Sequence, residues 1–504
     1  MAITPGLSLN KTPAPRQQTF ATNYLDFNQD MGWAQQYLPD LMEKEAEVFG
    51  QRTISGFLEK VGAEEAMQSD QVIWSEQGRL HLSYKAKTSG AGAGAGAGGA
   101  NATQITIQKD IDGNTVDGSA GKVHGIRVND LVIIADATNG ILKCLVTDVD
   151  ATTIDVLPYN AGGAAIAAST GDESVTVLVF GSEYGKGTSY MVGGAVDTQK
   201  ESRGANEPAF KTYANKPIIM KDYYEVSGSD TSRIGWVEVT GESGQNGYLW
   251  YLKAEADTRA RFNDYLEMAM LEAVKNDTSS VIDGGKTLVG SAAAADVGTE
   301  GLFAAIESRG NVTSGVTGVN AATDLAEFDA ILAEFDKQGA IEEYMMFVNR
   351  ATSLAMDDML ASMNSYGAGG TSYGVFDNDE DMALNLGLSG FRRGSYDFYK
   401  SDFRYINDKA TRGGIIAANA ANAIRVVMIP AGTSTVYDQS LGKNLKRPFL
   451  HVRYRASQTD NRKMKTWTTG SVGATTSALD AMQVHFLSER CLITQGANNF
   501  MLMK

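Results

Sequence analysis

The segment from Gln104 to Phe180 constrains the fold more than any other part of the chain. It is a string of short runs in which Val, Ile and Leu alternate with polar residues, and Asp-Gly, Asn-Asp and Asn-Gly pairs separate the runs. A period of two predicts strands with one buried face, and the turn residues predict hairpins. The segment is therefore predicted to form a compact antiparallel β module or small barrel of about 75 residues.

Two glycine-rich stretches flank this module, from Ala91 to Asn101 and from Gly181 to Gly194. The first has no side chains with which to pack and maximal backbone freedom, so we predict an exposed loop at a hairpin tip. Alternating strand-like residues from Val72 to Lys87 precede it. The module of residues 104–180 is therefore interpreted as an insertion in a longer β segment.

One long helix is predicted from Tyr248 to Val274. Its apolar residues recur at steps of three and four along one stripe: Leu252, Ala256, Phe262, Leu266, Ala269 and Ala273. This spacing is that of an amphipathic helix. At 1.5 Å per residue the segment would span about 40 Å, which predicts a structural spine.

Helical and strand patterns alternate after the linker Gly284 to Gly298. Asp324 followed by Glu327 resembles a capping box before an amphipathic helix that ends at Gly339. Ala351 to Met363 predicts the next helix, and strands are predicted at Tyr344–Val348, Tyr396–Tyr399, Ile424–Ile429, Phe449–Tyr454 and within Met482–Met503. The mixture predicts an α+β or α/β unit, and we favour an α+β fold for the chain.

The charge balance limits the class of partner. Asp and Glu number 60 against 44 Lys and Arg, a formal net charge of −16, which predicts repulsion of nucleic acid and of acidic lipid headgroups. Neither a secretory signal nor an apolar stretch of about 18 residues is found, so we expect a protein without a membrane segment. Cys144 and Cys491 are expected to be buried thiols in a reducing compartment.

Signatures of catalysis and of cofactor or metal binding are weak. Gly94, Gly96 and Gly99 fit a dinucleotide-binding spacing, but no helix pattern follows them. The four histidines fall in predicted strands without a His or Cys partner at ligand spacing. The acidic run from Asp377 lacks the glycine and the final glutamate of a calcium loop. We therefore predict no catalytic residue, no cofactor and no metal ion.

A basic strip opposes the acidic balance near the end of the chain. It consists of Lys443, Lys446, Arg447, Arg453, Arg455, Arg462, Lys463 and Lys465, against the single acidic residue Asp460. Three interpretations stay open: a solvated face, ion pairing with an acidic neighbouring subunit, and a surface that faces packaged nucleic acid. We favour the subunit contact, since a confined basic strip in an acidic protein supplies complementarity for self-association.

The order of these elements resembles the major capsid proteins of tailed bacteriophages, which have the Hong Kong 97-like fold, and most resembles those of crAss-like phages. The elements follow one another as a Pro-containing arm with Pro5, Pro13 and Pro15, a short helix, a long β excursion with a flexible tip, the spine helix, an α+β region and a β-rich return. The resemblance covers nearly the whole chain. It rests on architecture, since the family has no short diagnostic motif.

The resemblance implies a domain assignment. Residues 1–50 would be the N-arm, 72–224 the extended E-loop with the insertion 104–180, and 301–439 the axial domain with its Gly-rich loop Tyr366 to Gly374 near the capsomer axis. Residues 225–300, which contain the spine helix 248–274, and residues 440–504 would form the peripheral domain. The basic strip would then lie near subunit contacts.

The resemblance also implies function and partners. The chain would assemble as hexamers and pentamers into an icosahedral head shell around double-stranded DNA, in the cytoplasm of a bacterial host. Portal, scaffolding, cement or head-fibre proteins are further possible partners, and DNA contact would be non-specific. The alternatives are a tail or baseplate component and a hydrolase with an appended β domain.

Overall fold

The protein is described here by a computed structural model. It describes residues 63–78, 80–91, 102–119, 122–137, 139–159, 166–167, 171–187, 210–232, 239–240, 246–247, 250–275, 298–338, 341–364, 389–408, 410–416, 423–431, 433–438, 443–473 and 475–504. The predicted N-arm (1–50), the glycine-rich residues 92–101 and the predicted axial loop 366–374 lie outside the described residues.

The chain divides into two compact units. The first comprises Met1–Val72 and Asn215–Lys504, and the second Ile73–Ala214. In chain order the strands are β1 Ala63–Met67, β2 Val72–Gln77, β3 Ser83–Ala91, β4 Thr103–Asp110, β5 Asp130–Asp136, β6 Gly140–Val149, β7 Thr153–Pro158, β8 Val175–Ser182, β9 Phe210–Asn215, β10 Ile218–Ser227, β11 Val239–Thr240, β12 Asn246–Gly247, β13 Asn311–Thr313, β14 Glu343–Val348, β15 Ser389–Arg393, β16 Tyr396–Asp402, β17 Val426–Pro430, β18 Thr433–Asp438, β19 Lys443–Pro448, β20 Leu450–Arg455, β21 Lys465–Gly470, β22 Ala481–Thr494 and β23 Met501–Met503. The helices are α1 Gly228–Thr231, α2 Trp250–Glu272, α3 Leu302–Arg309, α4 Ala321–Gln338, α5 Arg350–Asn364, α6 Arg404–Asn407 and α7 Arg412–Ile416.

The second unit contains a closed antiparallel barrel with the strand order β3-β4-β7-β6-β5-β8. The alternation read from the sequence appears directly in the burial of β5, where Val132 and Ile134 are buried and Leu131 and Ile133 are half-buried. Gly140, the first residue of β6, follows the turn after β5 and has a φ of 69°, which glycine adopts without steric cost. The predicted module 104–180 therefore supplies strands β4 to β8, and β3 closes the barrel by pairing with β4 and β8.

A five-stranded sheet in the first unit collects strands from distant parts of the sequence. Its order is β1-β20-β22-β10, and β21 also pairs with β22. Strand β1 runs parallel to β20, whereas β22 is antiparallel to β20, β21 and β10. The long central strand β22 therefore pairs with β10, which lies more than 250 residues earlier in the chain.

Helix α2 packs on one face of this sheet. Phe262 and Leu266 are buried against Val484 and Phe486 of β22, and the Phe262 and Phe486 rings lie 6.1 Å apart. This helix corresponds to the predicted spine helix 248–274, within two residues at each end. Farther along α2, Met270 belongs to a second core shared with α3, β17 and β20.

A six-stranded sheet, β13-β23-β17-β14-β16-β15, is the other large sheet of the first unit, which also contains the two-stranded sheets β11-β12 and β18-β19. Its core is rich in aromatic rings that pack around Phe398, which is fully buried. The Phe398 ring centroid lies 5.1 Å from that of Phe328 on α4, 5.3 Å from that of Phe391 and 5.9 Å from that of Tyr344. Such aromatic pairs add to the free energy gained by burial.

The predicted capping box at Asp324 is wrong. Helix α4 begins at Ala321, and Asn320 caps it by accepting a hydrogen bond of 2.9 Å from the Thr323 amide. The loop before the helix folds back instead, so that Asp324 accepts from the Gly318 amide at 2.8 Å and Glu327 from the Thr317 amide at 2.8 Å.

The other predicted elements of the axial region match described ones. The strand predicted at Tyr344–Val348 is β14, the helix predicted at Ala351–Met363 is α5, and the described residues mix helices with strands as an α+β chain does. The prediction that all four histidines lie in strands is wrong for His81 and His124, which lie between strands. The assignment of peripheral, axial and E-loop domains stays a prediction.

Candidate interaction surface on the five-stranded sheet

The basic strip falls on β19, β20, β21 and the turn that joins the last two strands. Lys443, Lys446 and Arg447 lie on β19, which pairs with β18, so that Lys443 is opposite Asp438 in the backbone register. Arg453 and Arg455 lie on β20, and Lys465 begins β21. The structure thus distributes the strip over a hairpin and the five-stranded sheet.

Strand β1 supplies acidic partners for the strip. Because β1 and β20 run parallel, Glu65 lies directly opposite Arg453, and their side chains form an ion pair of 3.1 Å. Glu64 pairs with Lys463, and Asp70, just after β1, pairs with Arg455. These carboxylates are some 385 or more residues away in the sequence, so sequence inspection around the strip could not find them.

A buried carboxylate on β22 is the centre of the charge network. The Glu489 side chain is 7% exposed; its Oε1 lies 2.9 Å from Arg455 Nε and its Oε2 lies 3.0 Å from Arg462 Nη1. The Glu489 amide also donates a hydrogen bond of 3.0 Å to the Arg462 carbonyl. A buried carboxylate held between two guanidinium groups fixes the geometry of its surroundings, because removing one partner leaves an uncompensated charge.

The turn from β20 to β21 is closed by local hydrogen bonds. The Arg462 amide donates to the Arg455 carbonyl at 2.9 Å, and the Ser457 amide donates to the Asp460 carbonyl at 2.7 Å. Lys465 Nζ lies 2.9 Å from Asp460 Oδ1. Arg455, Arg462 and Lys465 therefore belong to one internally paired corner.

Arg490 is a further member of the network that sequence analysis missed. It is buried on the helix-facing side of the sheet, where its Nη2 donates to the Lys463 carbonyl at 3.0 Å and its Nε donates to Ser488 Oγ at 2.9 Å. Burial lowers the pKa of Arg490, while the nearby carboxylates of Glu64 and Glu267 act to raise it. The signal available in the sequence was the pair Glu489-Arg490 inside an otherwise apolar strand.

The opposite face of the sheet carries an aromatic row beside the charged corner. His485 on β22 stacks on Trp467 of β21, with centroids 5.1 Å apart, and on Tyr223 of β10 at 6.0 Å. Tyr223 is 57% exposed and Ile219, on the same strand, is 53% exposed. An open depression of about 480 Å³ lies between the aromatic row and the charged corner. It is lined by Asp460, Arg462, Lys465, Trp467 and Leu487.

This surface has the composition of a protein contact. Exposed aromatic rings next to arginine side chains are typical of protein–protein interfaces. Within the described ranges, no group of three His, Cys, Asp or Glu side chains is arranged to hold a metal ion. Burial raises the pKa of Cys491 to about 12, which keeps that thiol protonated and unreactive at neutral pH.

The basic strip is therefore largely paired within its own chain. Arg453, Arg455, Arg462, Lys463 and Lys465 each have an acidic partner in the first unit. The contact of the eight strip residues with a neighbouring subunit stays a prediction.

Among the described helices, none is both long enough and apolar enough to span a bilayer.

Comparison with known proteins gives structural similarities only. No family model and no curated protein matches the chain. The capsid structure of the cyanophage P-SCSP1u has a TM-score of 0.38 and 8% identity, with 95% of each chain covered. A chain of Microbacterium phage Oxtober96 has a TM-score of 0.37 and 8% identity, over 94% of this chain and 97% of that one. A capsid chain of an empty GTA particle has a TM-score of 0.33 and 10% identity, over 92% and 93%. All three TM-scores are below 0.5.

Proposed function

We propose that this chain is a major capsid protein of a tailed bacteriophage (Caudoviricetes), with a Hong Kong 97-like fold, that self-assembles into an icosahedral shell around double-stranded DNA. The observation that carries the proposal is the path of the chain through the five-stranded sheet. The chain leaves this sheet after β1 and returns to the same sheet with β10, so the residues between them are an excursion from one sheet. The resemblance stated above implies such an excursion for the E-loop.

The order of the remaining elements also supports the proposal. Helix α2 packs on that same sheet, the six-stranded sheet with α4 and α5 follows, and the chain then returns through β20 to β22. This is the order that the resemblance implies for the spine helix, the axial domain and the return to the peripheral domain. Similarity to the crAss-like members in particular is part of the proposal.

The point at which the chain returns to the first unit is held by one buried side chain. Asn215 is fully buried; its Nδ2 donates to the Leu492 carbonyl at 2.6 Å and to the Glu300 carbonyl at 3.1 Å, while its Oδ1 accepts from the Glu300 amide at 2.9 Å. A fully satisfied buried amide fixes one backbone arrangement. Such a fixed return suits a subunit whose excursion must reach a defined neighbour.

The proposed assembly uses several contacts at once. Weak contacts become strong in a shell because each subunit engages several neighbours simultaneously. In this proposal the N-arm (1–50), the E-loop (72–224) and the basic strip contact other copies. Portal, scaffolding, cement or head-fibre proteins are further partners, packaged DNA is contacted only non-specifically, and assembly takes place in the host cytoplasm.

Electron microscopy of the expressed full-length protein tests the proposal. We expect closed shells containing hexamers and pentamers. Rings or tubes would favour the tail or baseplate alternative, and a stable monomer at high concentration would contradict both. A variant that lacks Met1 to Phe27 should stay folded but fail to assemble; normal shells from it would refute the role of the arm.

A further inference from the structure

The outer wall of the barrel carries an apolar patch that the barrel itself does not need. The patch consists of Leu131, Ile133, Leu145, Leu157, Leu178 and Phe180. In the strand register Leu157, Leu145 and Leu131 form one row across β7, β6 and β5. Ile133 and Leu178 form part of the next row, across β5 and β8.

The barrel interior is already filled by other residues. Val132, Ile134, Val146 and Val177 alternate with the patch residues along their strands and are fully buried inside. Leu178 is 36% exposed and Phe180 is 47% exposed. A closed barrel has no unpaired edge to protect, so apolar residues on its outer wall contribute nothing to closure.

Phe180 is directed outward by an irregularity in the ladder. Between Leu131 and Val132 of β5 the register shifts, so that Val132 is opposite Val179 and Leu131 is opposite Gly181. Phe180 is the extra residue of this bulge. Bulges change the direction of a side chain at the cost of ladder hydrogen bonds, so the position of this ring is an arranged feature of the wall.

The size of the patch selects the kind of contact. The largest apolar patch on a soluble monomer usually measures roughly 300–600 Å² and is often functional. Four of the six patch residues, Leu131, Ile133, Leu145 and Leu157, are only half-exposed, so this patch does not exceed that range. A stable independent dimer buries about 800 Å² per partner. The patch is therefore too small for a permanent dimer and suits a contact that other interfaces reinforce.

The margin of the patch carries charges of both signs. Lys143 is exposed on the outer wall of β6, opposite Ile133 in the register, and forms no ion pair with a residue the structure describes. Glu183, just after β8, accepts a hydrogen bond from the Tyr159 hydroxyl, which raises the pKa of Tyr159 to about 12. A surface with an apolar centre and a mixed-charge margin is complementary to a second copy of itself, whereas a uniformly acidic or basic partner would meet a like charge.

We propose that this outer patch is the contact surface between the barrels of two copies of the chain, related by a two-fold axis. Two β surfaces of this kind pack face to face with their side chains interdigitated. A two-fold axis places the same patch on both copies, which is the commonest symmetry of self-association. The inference rests on the proposed assembly for the reinforcement of this weak contact, and it assigns the barrel the role of joining subunits.

A single introduced cysteine tests the contact in the assembled full-length protein. The two native thiols, Cys144 and Cys491, are fully buried, so they do not compete in a disulfide exchange at the surface. Under mild oxidation Leu178→Cys should give a disulfide-linked dimer on a non-reducing gel. Val123→Cys is the matched control, because Val123 is 55% exposed in the segment between β4 and β5, outside the patch. No dimer with Leu178→Cys, or equal amounts with both variants, would overturn the inference.

Charge introduction separates this inference from the proposed function. The double variant Leu178→Lys/Phe180→Lys should keep the far-ultraviolet circular dichroism and melting curve of the parent, because both residues are exposed. Its self-association, measured by sedimentation velocity, should fall by about tenfold or more, since two like charges replace apolar contact area on each copy. Ile111→Lys, at an exposed position outside the patch, should leave association unchanged.

The outcomes of the two tests are distinguishable. If the parent forms shells and the double variant forms them equally well, the inference fails and the proposed function stands. If the parent forms no shells but Leu178→Cys still yields the specific dimer, the inference stands and the proposed function fails.

Discussion

The barrel is built from antiparallel strand pairs, whereas the five-stranded sheet also contains one parallel pair, β1 with β20, and the strands of the two structures come from very different distances along the chain. Each barrel strand lies within Ser83–Ser182, and its core residues are mostly aliphatic, with Tyr84 and Cys144 among them. The five-stranded sheet joins residues 63–67 to residues 450–494 and holds a buried charge network around Glu489. A pattern that is local in sequence can specify the first, whereas the second depends on partners that only the folded chain brings together.

The aromatic core of the six-stranded sheet provides the largest expected effect and tests whether the two units are independent. Phe398→Ala should lower the free energy of unfolding of the first unit by about 3–5 kcal/mol, because it removes a fully buried ring among three others. Hydrogen exchange measured by mass spectrometry should show lost protection in peptides of β14 and β16 and unchanged protection in the barrel. Phe398→Leu is the control with a smaller loss, and equal loss in barrel peptides would contradict two independent units.

The charge network around Glu489 provides the second largest expected loss of stability. Glu489→Gln keeps the shape of the side chain but leaves Arg455 and Arg462 without the carboxylate between them, so we expect a loss of about 2–4 kcal/mol in urea unfolding. Glu334→Gln removes an exposed pair with Lys337 and should cost less than about 1 kcal/mol. Equal effects of the two variants would show that the buried network contributes no more than a surface pair.

A smaller effect is expected from a conservative change in the barrel. Ile134→Val removes one methylene from a fully buried position and should cost about 0.5–1.5 kcal/mol. Exchange should increase only in barrel peptides. Ile141→Val, at a 74% exposed position on the neighbouring strand, should be neutral. Increased hydrogen exchange in peptides of the first unit on Ile134→Val would contradict the independence of the barrel from that unit.

The smallest effect concerns pH. His124 is buried beside Tyr84, and desolvation lowers its pKa from 6.5, while Asp150 acts in the opposite direction. The neutral ring is favoured in the folded barrel, so its contribution to stability is present above the unfolded pKa and is lost as the pH falls below it. Urea unfolding followed through barrel peptides should shift to lower urea between about pH 7.5 and about pH 5.5, and His124→Gln should reduce the shift. An identical shift of the urea midpoint in the parent and in His124→Gln would show that other titrating groups cause the pH dependence.

The sequence located most of the secondary structure because these elements have strong local patterns. The long stripe that includes Phe262 and Leu266 predicted helix α2 within two residues at each end. The alternation around Val132 predicted a barrel strand. The capping box predicted at Asp324 is wrong, because the loop before α4 folds back and its Gly318 amide donates to the Asp324 carboxylate. The spacing of residues in the sequence does not show that this loop folds back.

The candidate site could be predicted only in part. The basic residues were visible as a strip, and their partners Glu64, Glu65 and Glu489 were not, since nothing near residue 453 points to residue 65. The outer patch of the barrel was also hidden. Leu131 and Ile133 look like any strand residues until the closed barrel shows which side is already filled.

By itself the sequence determined the class of the molecule: strand and helix periods, turn positions and an acidic surface balance follow from neighbouring residues. The tertiary structure alone decided which carboxylate meets which arginine and which apolar residues remain outside a filled core. The reason is physical: ion pairs and packed surfaces depend on distances between side chains in space. Those distances are fixed only when segments that are remote in the sequence come into contact during folding.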